Sequence, residues 1–470
     1  MDHPDPAHLF RQAAEEAARY RSTFPARPHK PADSYLESLA RFSAELPSQG
    51  APGDQVLAQL IEQADPGLNA MPGPRFFGWV MGASHPVAVA ADWMTAVWGQ
   101  NAGNHVASPA AAAAETVAAR WLLELLGLPQ EASVGFVTGA TMANFVGLAA
   151  ARSEVLRRVG WDVEANGLFG APPITVLIGD DAHTTIYAGL QYLGLGHDRV
   201  RRIRTDEAGR MVPEAFAEAA REASGPVIAI LQAGQINTGA FDDFDAIIPL
   251  AREAGAWVHV DGAFGLWARA TPGRKHLAEG IELADSWATD GHKWLQVPFD
   301  SGYVFVRDSD AHRRAMTIAA SYLPAAGETE RDPSHLVPEL SRRARGFPTW
   351  AIIRHLGRNG ISEMVERHCA VARDMAERLA AEDGVHVLNT VELNQVIVRF
   401  GSAEPGAEAD RQTVETIRRI QHDGVLFAGG ADWRGRKVMR LSVTSWGTTL
   451  EEGQKAVDGI LQAFDAVRMS

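Results

Sequence analysis

The residues best suited to chemistry stand in Asp290-Gly291-His292-Lys293-Trp294, where one lysine follows an acid and a histidine among apolar and aromatic neighbours. Lysines are seldom buried without a partner. An apolar surround disfavours the ammonium form, so a lysine placed there sheds its proton readily. It then becomes a nucleophile able to form a Schiff base. In isolation such a tripeptide reads as a surface lysine whose stem covers a tryptophan. Stretches upstream change that reading.

Thr138-Gly139-Ala140-Thr141-Met142-Ala143-Asn144 follows an apolar run and opens a helix. Its small residues let backbone come close to a ligand, and a helix N-terminus offers free N–H groups and partial positive charge, which suits a phosphate. Alone, Thr-Gly before a helix is also a common cap. His183, in Asp180-Asp181-Ala182-His183, can stack on a flat ring or simply cap a helix. Asn237 lies in Gln232–Ala240, a loop whose Gly234 and Gly239 allow close approach to a ligand. Asp261 ends an apolar run and is followed by Gly262-Ala263. A carboxylate there is costly unless it meets a cation or a protonated nitrogen. A phosphate cup, a ring-stacking histidine, a strand-end aspartate and a lysine, in that order, are the parts required by pyridoxal phosphate. That cofactor needs a Schiff-base lysine, an acid for its pyridinium nitrogen and a phosphate seat.

The elements that position these residues follow from the patterning. Short apolar runs at 134–137, 174–179, 200–203, 227–231, 257–260, 286–289 and 302–306 alternate with helical stretches. The alternation predicts an α/β fold, a mostly parallel sheet with helices on both faces. Sites in such sheets sit at the carboxyl ends of strands, which is where each candidate residue falls. Helices are expected at about 8–20, 34–45, 53–63, 86–99 and 109–127. A long helix, about 347–383, then leads to a smaller α+β unit with strands at 385–388, 395–400, 425–428 and 437–442 and a last helix at about 450–467. Gly401–Asp410 reads as a surface loop. The expected domains are an N-terminal helical arm for dimerisation (1–73), a large cofactor domain (74–335) and a small C-terminal domain (336–470). The arm buries little by itself and should lean on the body or on a second copy.

Composition excludes several classes. The net charge of −14 argues against nucleic acid and against anionic lipid. The lone Cys369 permits no intramolecular disulfide and no thiolate cluster for a metal. It reads as a packing thiol in a reducing cytoplasm. No apolar run approaches a membrane span, and the acid-rich N-terminus has no signal-peptide core.

The ordered set of segments resembles the group II pyridoxal-phosphate-dependent decarboxylases, the aromatic-amino-acid and glutamate decarboxylase family of fold type I. The resemblance runs from about Pro74 to Thr449. It is carried by Phe76-Phe77, Ser108-Pro109, Thr138–Asn144, Ala182-His183, Gly234–Asp242, His259–Ala263, Asp290–Trp294 and Met439–Val443. It implies that Lys293 forms the Schiff base, Asp261 pairs with the pyridinium nitrogen and His183 stacks on the ring. Gly139, Ala140 and Thr141 would then seat the phosphate with His292 nearby, and Ala263 would pack beneath the ring. It also implies a homodimer with the site at the interface, the substrate being lined by Trp79, Met81, Asn104 and His105. The implied reaction is decarboxylation of an L-amino acid. Two departures stand out. The loop Gly327–Ser341 lacks the tyrosine that aromatic-amino-acid decarboxylases bring over the site, which leaves His335 as the proton carrier there and admits oxidative deamination or transamination as alternatives. Trp446-Gly447-Thr448-Thr449 lacks the arginine that often precedes Thr-Thr.

Overall fold

The apolar runs of the middle of the chain fold as one seven-stranded sheet. The computed structural model describes residues 6–317 and 331–469. Strands β1 (Ser133–Val137), β2 (Thr175–Gly179), β3 (Arg201–Ile203), β4 (Val227–Gln232), β5 (Trp257–Asp261), β6 (Ser286–Asp290) and β7 (Gly302–Val306) lie in the order β1-β7-β6-β5-β4-β2-β3. The pairs β2–β3, β2–β4, β4–β5 and β5–β6 are parallel. β7 runs against both of its neighbours, β1 and β6. Only residues 291–301 separate β6 from β7, fewer than the dozen or so that a parallel crossover needs, so the chain returns as a hairpin. Lys293 rides on that return.

Helices precede and cover the sheet. The first three are α1 (Pro6–Ser22), α2 (Tyr35–Phe42) and α3 (Gly53–Ala64). None of them buries a residue, although α2 carries a capping box between Ser34 and Glu37. α4 (Pro86–Trp98) and α5 (Pro109–Leu126) each start on proline and end on a left-handed glycine, Gly99 and Gly127. Next come α6 (Ala140–Arg157), α7 (Val163–Asn166), α8 (Thr184–Tyr192), α9 (Pro213–Glu222), α10 (Phe244–Glu253) and α11 (Ser309–Met316). The side of α6 facing the sheet is built from small residues, including buried Gly147, Ala149, Ala150 and Ala151, so the helix lies close over β5, β6 and β7.

The long helix α12 (Gly346–Ala380) crosses to the smaller unit. Gly357, at φ 63°, interrupts its helical backbone, a break the sequence reading did not place. Strands β8 (Val385–Val387), β9 (Gln395–Phe400), β10 (Gly429–Trp433) and β11 (Arg436–Ser442) form an antiparallel sheet in the order β10-β11-β9-β8. It is backed by α13 (Ala407–Asp423) and α14 (Leu450–Arg468). Val396, Val398, Phe400, Met439 and Leu441 meet Ile420, Val457, Ile460 and Phe464 in its core.

Two expectations are corrected here. The strand expected at 425–428 is absent. Phe427 makes one isolated bridge to Phe76, and its backbone is spent on the incoming chain through Phe77 N and Arg75 O. The surface loop expected to reach Asp410 ends earlier, because α13 begins at Ala407 and runs through a stretch with no expected element. The Gly/Pro/acid-rich residues just before it mask an acidic first turn at Glu408 and Asp410 that favours the helix N-terminus.

Candidate active site

Five strand ends of the large sheet converge, and each delivers one candidate residue. β1 leads into Gly139 and the N-terminus of α6, β2 into His183, β4 into the loop of Asn237, β5 ends in Asp261 and β6 in Asp290. Buried apolar strands force their polar residues to the ends, where the sheet no longer covers them. Gly139 and Gly302 approach so closely that a Cβ on Gly302 would overlap the Gly139 backbone. That contact holds the start of α6 against the root of the Lys293 hairpin.

Asp261 is 5% exposed. Its Oδ1 accepts from Ala263 N at 3.2 Å, and among the described residues it has no ion-pair partner in contact. Burial pushes its carboxyl up, while electrostatic interaction with His183 and Lys293 pulls it back. His183 caps α8: its Nδ1 lies 2.9 Å from Thr185 Oγ1. Burial lowers its pKa, the charges of Lys293 and Arg440 add to that, and Asp261 opposes it. A neutral imidazole is the form suited to lying flat against an aromatic cation. Asn237 is buried, and its Oδ1 stands 3.5 Å from Arg440 Nη1.

Lys293 corrects an expectation. It is not an unpartnered amine in an apolar surround: its Nζ lies 3.0 Å from Asp290 Oδ2. Asp290 is the hub. Its Oδ1 accepts from Ala140 N at 2.6 Å and lies 3.2 Å from His292 Nε2, while its own carbonyl accepts from Trp267 Nε1 at 3.0 Å. The sequence reading gave Asp290 no role, although it bears the same mark as Asp261, an acid closing a buried strand. Burial lowers the His292 pKa, with Asp290 opposing. Arg440, on β11, was likewise given no role. Burial lowers its pKa, and among the described residues it meets no carboxylate. Its place between the buried apolar residues Met439 and Leu441 was the available signal.

The structure brings Gly82, next to Met81, to the lysine hairpin, whereas the Trp79 ring packs on Phe76 and Phe427 and stays half exposed, and Asn104 and His105 are engaged elsewhere. Gly82 N donates to His292 O at 3.1 Å, and a Cβ there would overlap the Lys293 carbonyl. Trp79, Val80 and Ser84 all hold positive φ, as does Gln296 across the contact. Four non-glycine residues in that region around one lysine mark stored backbone strain, which concentrates at functional sites. Asn104 Oδ1 instead accepts from Ala107 N, and His105 Nδ1 sits 2.7 Å from Asp332 Oδ1. His335 lies in a short turn at Pro333–Leu336, and among the described residues no hydrogen bond or ion pair joins it to Lys293. Residues 327–330 of its loop lie outside the described residues. Where the arginine before Thr-Thr is missing, Arg367 of α12 donates to Trp446 O at 3.2 Å and Thr448 O at 2.7 Å.

These residues fit a pyridoxal phosphate: a lysine amine, a buried carboxylate without a cation in contact, a neutral histidine, and a helix N-terminus walled by glycines. The model for the pyridoxal-dependent decarboxylase conserved domain matches residues 36–401. The chain belongs to that family. It is a pyridoxal-phosphate-dependent amino-acid decarboxylase with the fold of its relatives. An aromatic-L-amino-acid decarboxylase of Bacillus atrophaeus is 26% identical over 424 residues, covering 88% of this chain and 85% of that protein. A 4-hydroxyphenylacetaldehyde synthase of Rhodiola rosea is 26% identical over 426 residues, covering 88% and 85%. The crystal structure of Oryza sativa TDC with PLP and tryptamine superposes with a TM-score of 0.90 over 98% of this chain and 97% of that one, at 23% identity.

Proposed function

We propose that this decarboxylase holds its cofactor covalently through Lys293 and acts on an L-amino acid with a flat or medium-sized apolar side chain. The observation that carries the reading is Asp261, a buried carboxylate at a strand end that has no cation in contact among the described residues and that interacts electrostatically with His183 and Lys293. When bound, the cofactor supplies a ring that draws electrons from the substrate's α-carbon. Asp261 would offer its carboxylate to the ring nitrogen and so favour its protonated form. His183, Ala263 and Asn237 would hold the ring. Gly139, Ala140, Thr141 and His292 seat the phosphate. Arg440 provides the cation for the substrate's carboxylate. The bond from Cα to the carboxylate breaks, carbon dioxide leaves, and Cα takes a proton, so the product is an amine and no oxidant is consumed. Trp79 and Met81 would line the side-chain end, and His335 remains the proton-carrier candidate. Asn104 and His105, which bond to Ala107 and Asp332 within this chain, are assigned to a site across a subunit boundary. That placement suits a homodimer, as do the exposed Phe10, Leu36, Leu39 and Leu60 of the helical arm. The domain limits 1–73, 74–335 and 336–470 and a cytoplasmic location complete the proposal, the latter suited to a single reduced and buried cysteine.

The test is a screen of L-amino acids for release of carbon dioxide, with oxygen uptake recorded in the same vessel. We expect amine and carbon dioxide in equal amounts, and Lys293→Ala to lose both the visible absorbance of the bound cofactor and turnover. Substrate-dependent oxygen uptake with ammonia and peroxide release would replace simple decarboxylation with the aldehyde-forming reaction. A stoichiometric keto acid would replace it with transamination.

A further inference from the structure

Asp290 stands inside the seat assigned to the cofactor's phosphate, and we propose that it competes with that phosphate as an anion and so sets how tightly the cofactor is held. The proposal rests on the pyridoxal-phosphate reading of the site. Asp290 is 2% exposed. It takes the Ala140 N–H, one of the free donors at the start of α6, and draws both His292 Nε2 and Lys293 Nζ to its two oxygens. These are the donors an anion at that helix end would use. The carboxylate has little room to withdraw. A Cβ on Gly139 would lie 3.1 Å from its Oδ1 and 2.9 Å from His292 Cε1, and Trp267 Nε1 pins its backbone carbonyl. A phosphate arriving at Ala140 therefore meets a fixed negative charge in a site shielded from water, where like charges repel most strongly. Among the described residues His292 is the ring that touches this carboxylate, with Nε2 3.2 Å from Oδ1.

Asparagine at this position keeps the shape and an acceptor for Ala140 N–H while removing the charge. We expect Asp290→Asn, in full-length protein stripped of cofactor, to bind pyridoxal phosphate about tenfold more tightly than the parent, read by absorbance titration. Binding of pyridoxal, which has no phosphate, should stay within twofold. Inorganic phosphate should compete with the cofactor about tenfold better in the variant. Asp290→Ser, also neutral, should move in the same direction and guards against a variant that fails to fold, which circular dichroism will reveal. Cofactor binding unchanged or weakened in both variants would overturn the proposal. So would a pyridoxal shift as large as that of pyridoxal phosphate, because the effect would then run through Lys293 alone. A parent protein that binds neither compound would instead sink the cofactor reading itself, whatever the variants do.

Discussion

The two buried aspartates of the site divide the work by what each touches. Asp261 has no cation in contact, so it is positioned to pay its burial back against a ligand; Asp290 already holds a backbone N–H, a histidine and a lysine. Replacing Asp261 with asparagine preserves the acceptor for Ala263 N–H and removes only the charge. We expect the variant to fold and to lose turnover by about a hundredfold, the range typical of a positioned charge or proton-transfer group. Steady-state kinetics at saturating cofactor checks this, and turnover within twofold of the parent would refute the pairing of Asp261 with the ring. Lys293, His183 and Asp261 were legible because each is a rare residue type for its surroundings and because their order repeats a cofactor's needs. Asp290 was not, because the signal that marks it is shared with every strand-end acid, and only three-dimensional contact distinguishes a hub from a terminus. Arg440 was hidden for a related reason: it enters from the other unit, 147 positions after Lys293, and no spacing rule connects them.

At the scale of elements, strands and helices with strong periodicity emerged near their expected limits, whereas the segment from Arg331 to Arg345 gave no periodic signal at all. It is held by arginines that spend their donors on backbone. Arg342 Nη1 lies 2.6 Å from Glu115 Oε1 and 2.9 Å from Ala102 O, and its Nη2 donates to Phe136 O at 2.7 Å. Arg331 donates to Val134 O and stacks on Phe136, and burial lowers its pKa to about 10. Arg342 and Glu115 are both fully enclosed. Glu115 thus faces two guanidinium groups, Arg342 at 2.6 Å and Arg331 at 4.0 Å, and among the described residues no other carboxylate pairs with either. Glu115→Ala leaves them uncompensated and should cost about 3 kcal/mol, as for other broken buried pairs. The double change Glu115→Leu with Arg342→Met removes the enclosed pair and leaves only the partly exposed Arg331 without its carboxylate, so it should recover about half of that loss. Urea unfolding of the three proteins measures both values, and a double variant no more stable than the single one would show that the arginine's carbonyl bonds, not the charge pair, hold the segment.

For the molecule as a whole, the ionisable groups buried by folding fix how stability responds to acid. Burial lowers His29 to about 4 and His259, His312 and His368 to about 3, from an ordinary 6.5. His259, His312 and His368 sit in bonded niches, while the ring of His29 is simply buried. His259 meets Ser286 Oγ at 2.8 Å and Asn144 Oδ1 at 3.0 Å, and His368 accepts from Trp294 Nε1 at 2.9 Å. As pH falls below 6.5 the unfolded chain gains protons that the folded chain refuses, so these four groups withdraw stability from about 6.5 downward. Asp242 works in the opposite sense. Burial raises it from 3.8 to about 6, so between those values the folded chain holds a proton that the unfolded chain releases. One carboxyl against four imidazoles leaves about three net protons favouring unfolding, a slope on the order of 4 kcal/mol per pH unit at its steepest. A domain's whole stability is about 5–15 kcal/mol, so the protein should unfold in mild acid, well above the pH at which its carboxylates titrate. Urea midpoints at successive pH values, with the cofactor state held constant, should be level above neutrality and drop steeply between about 6.5 and 5. His259→Gln, which keeps a bonding side chain that cannot charge, should flatten that slope by about one proton's share, roughly 1.4 kcal/mol per pH unit. A midpoint constant across the same interval would mean that the four histidines charge in place as the solvent acidifies, and that burial is not what keeps them neutral.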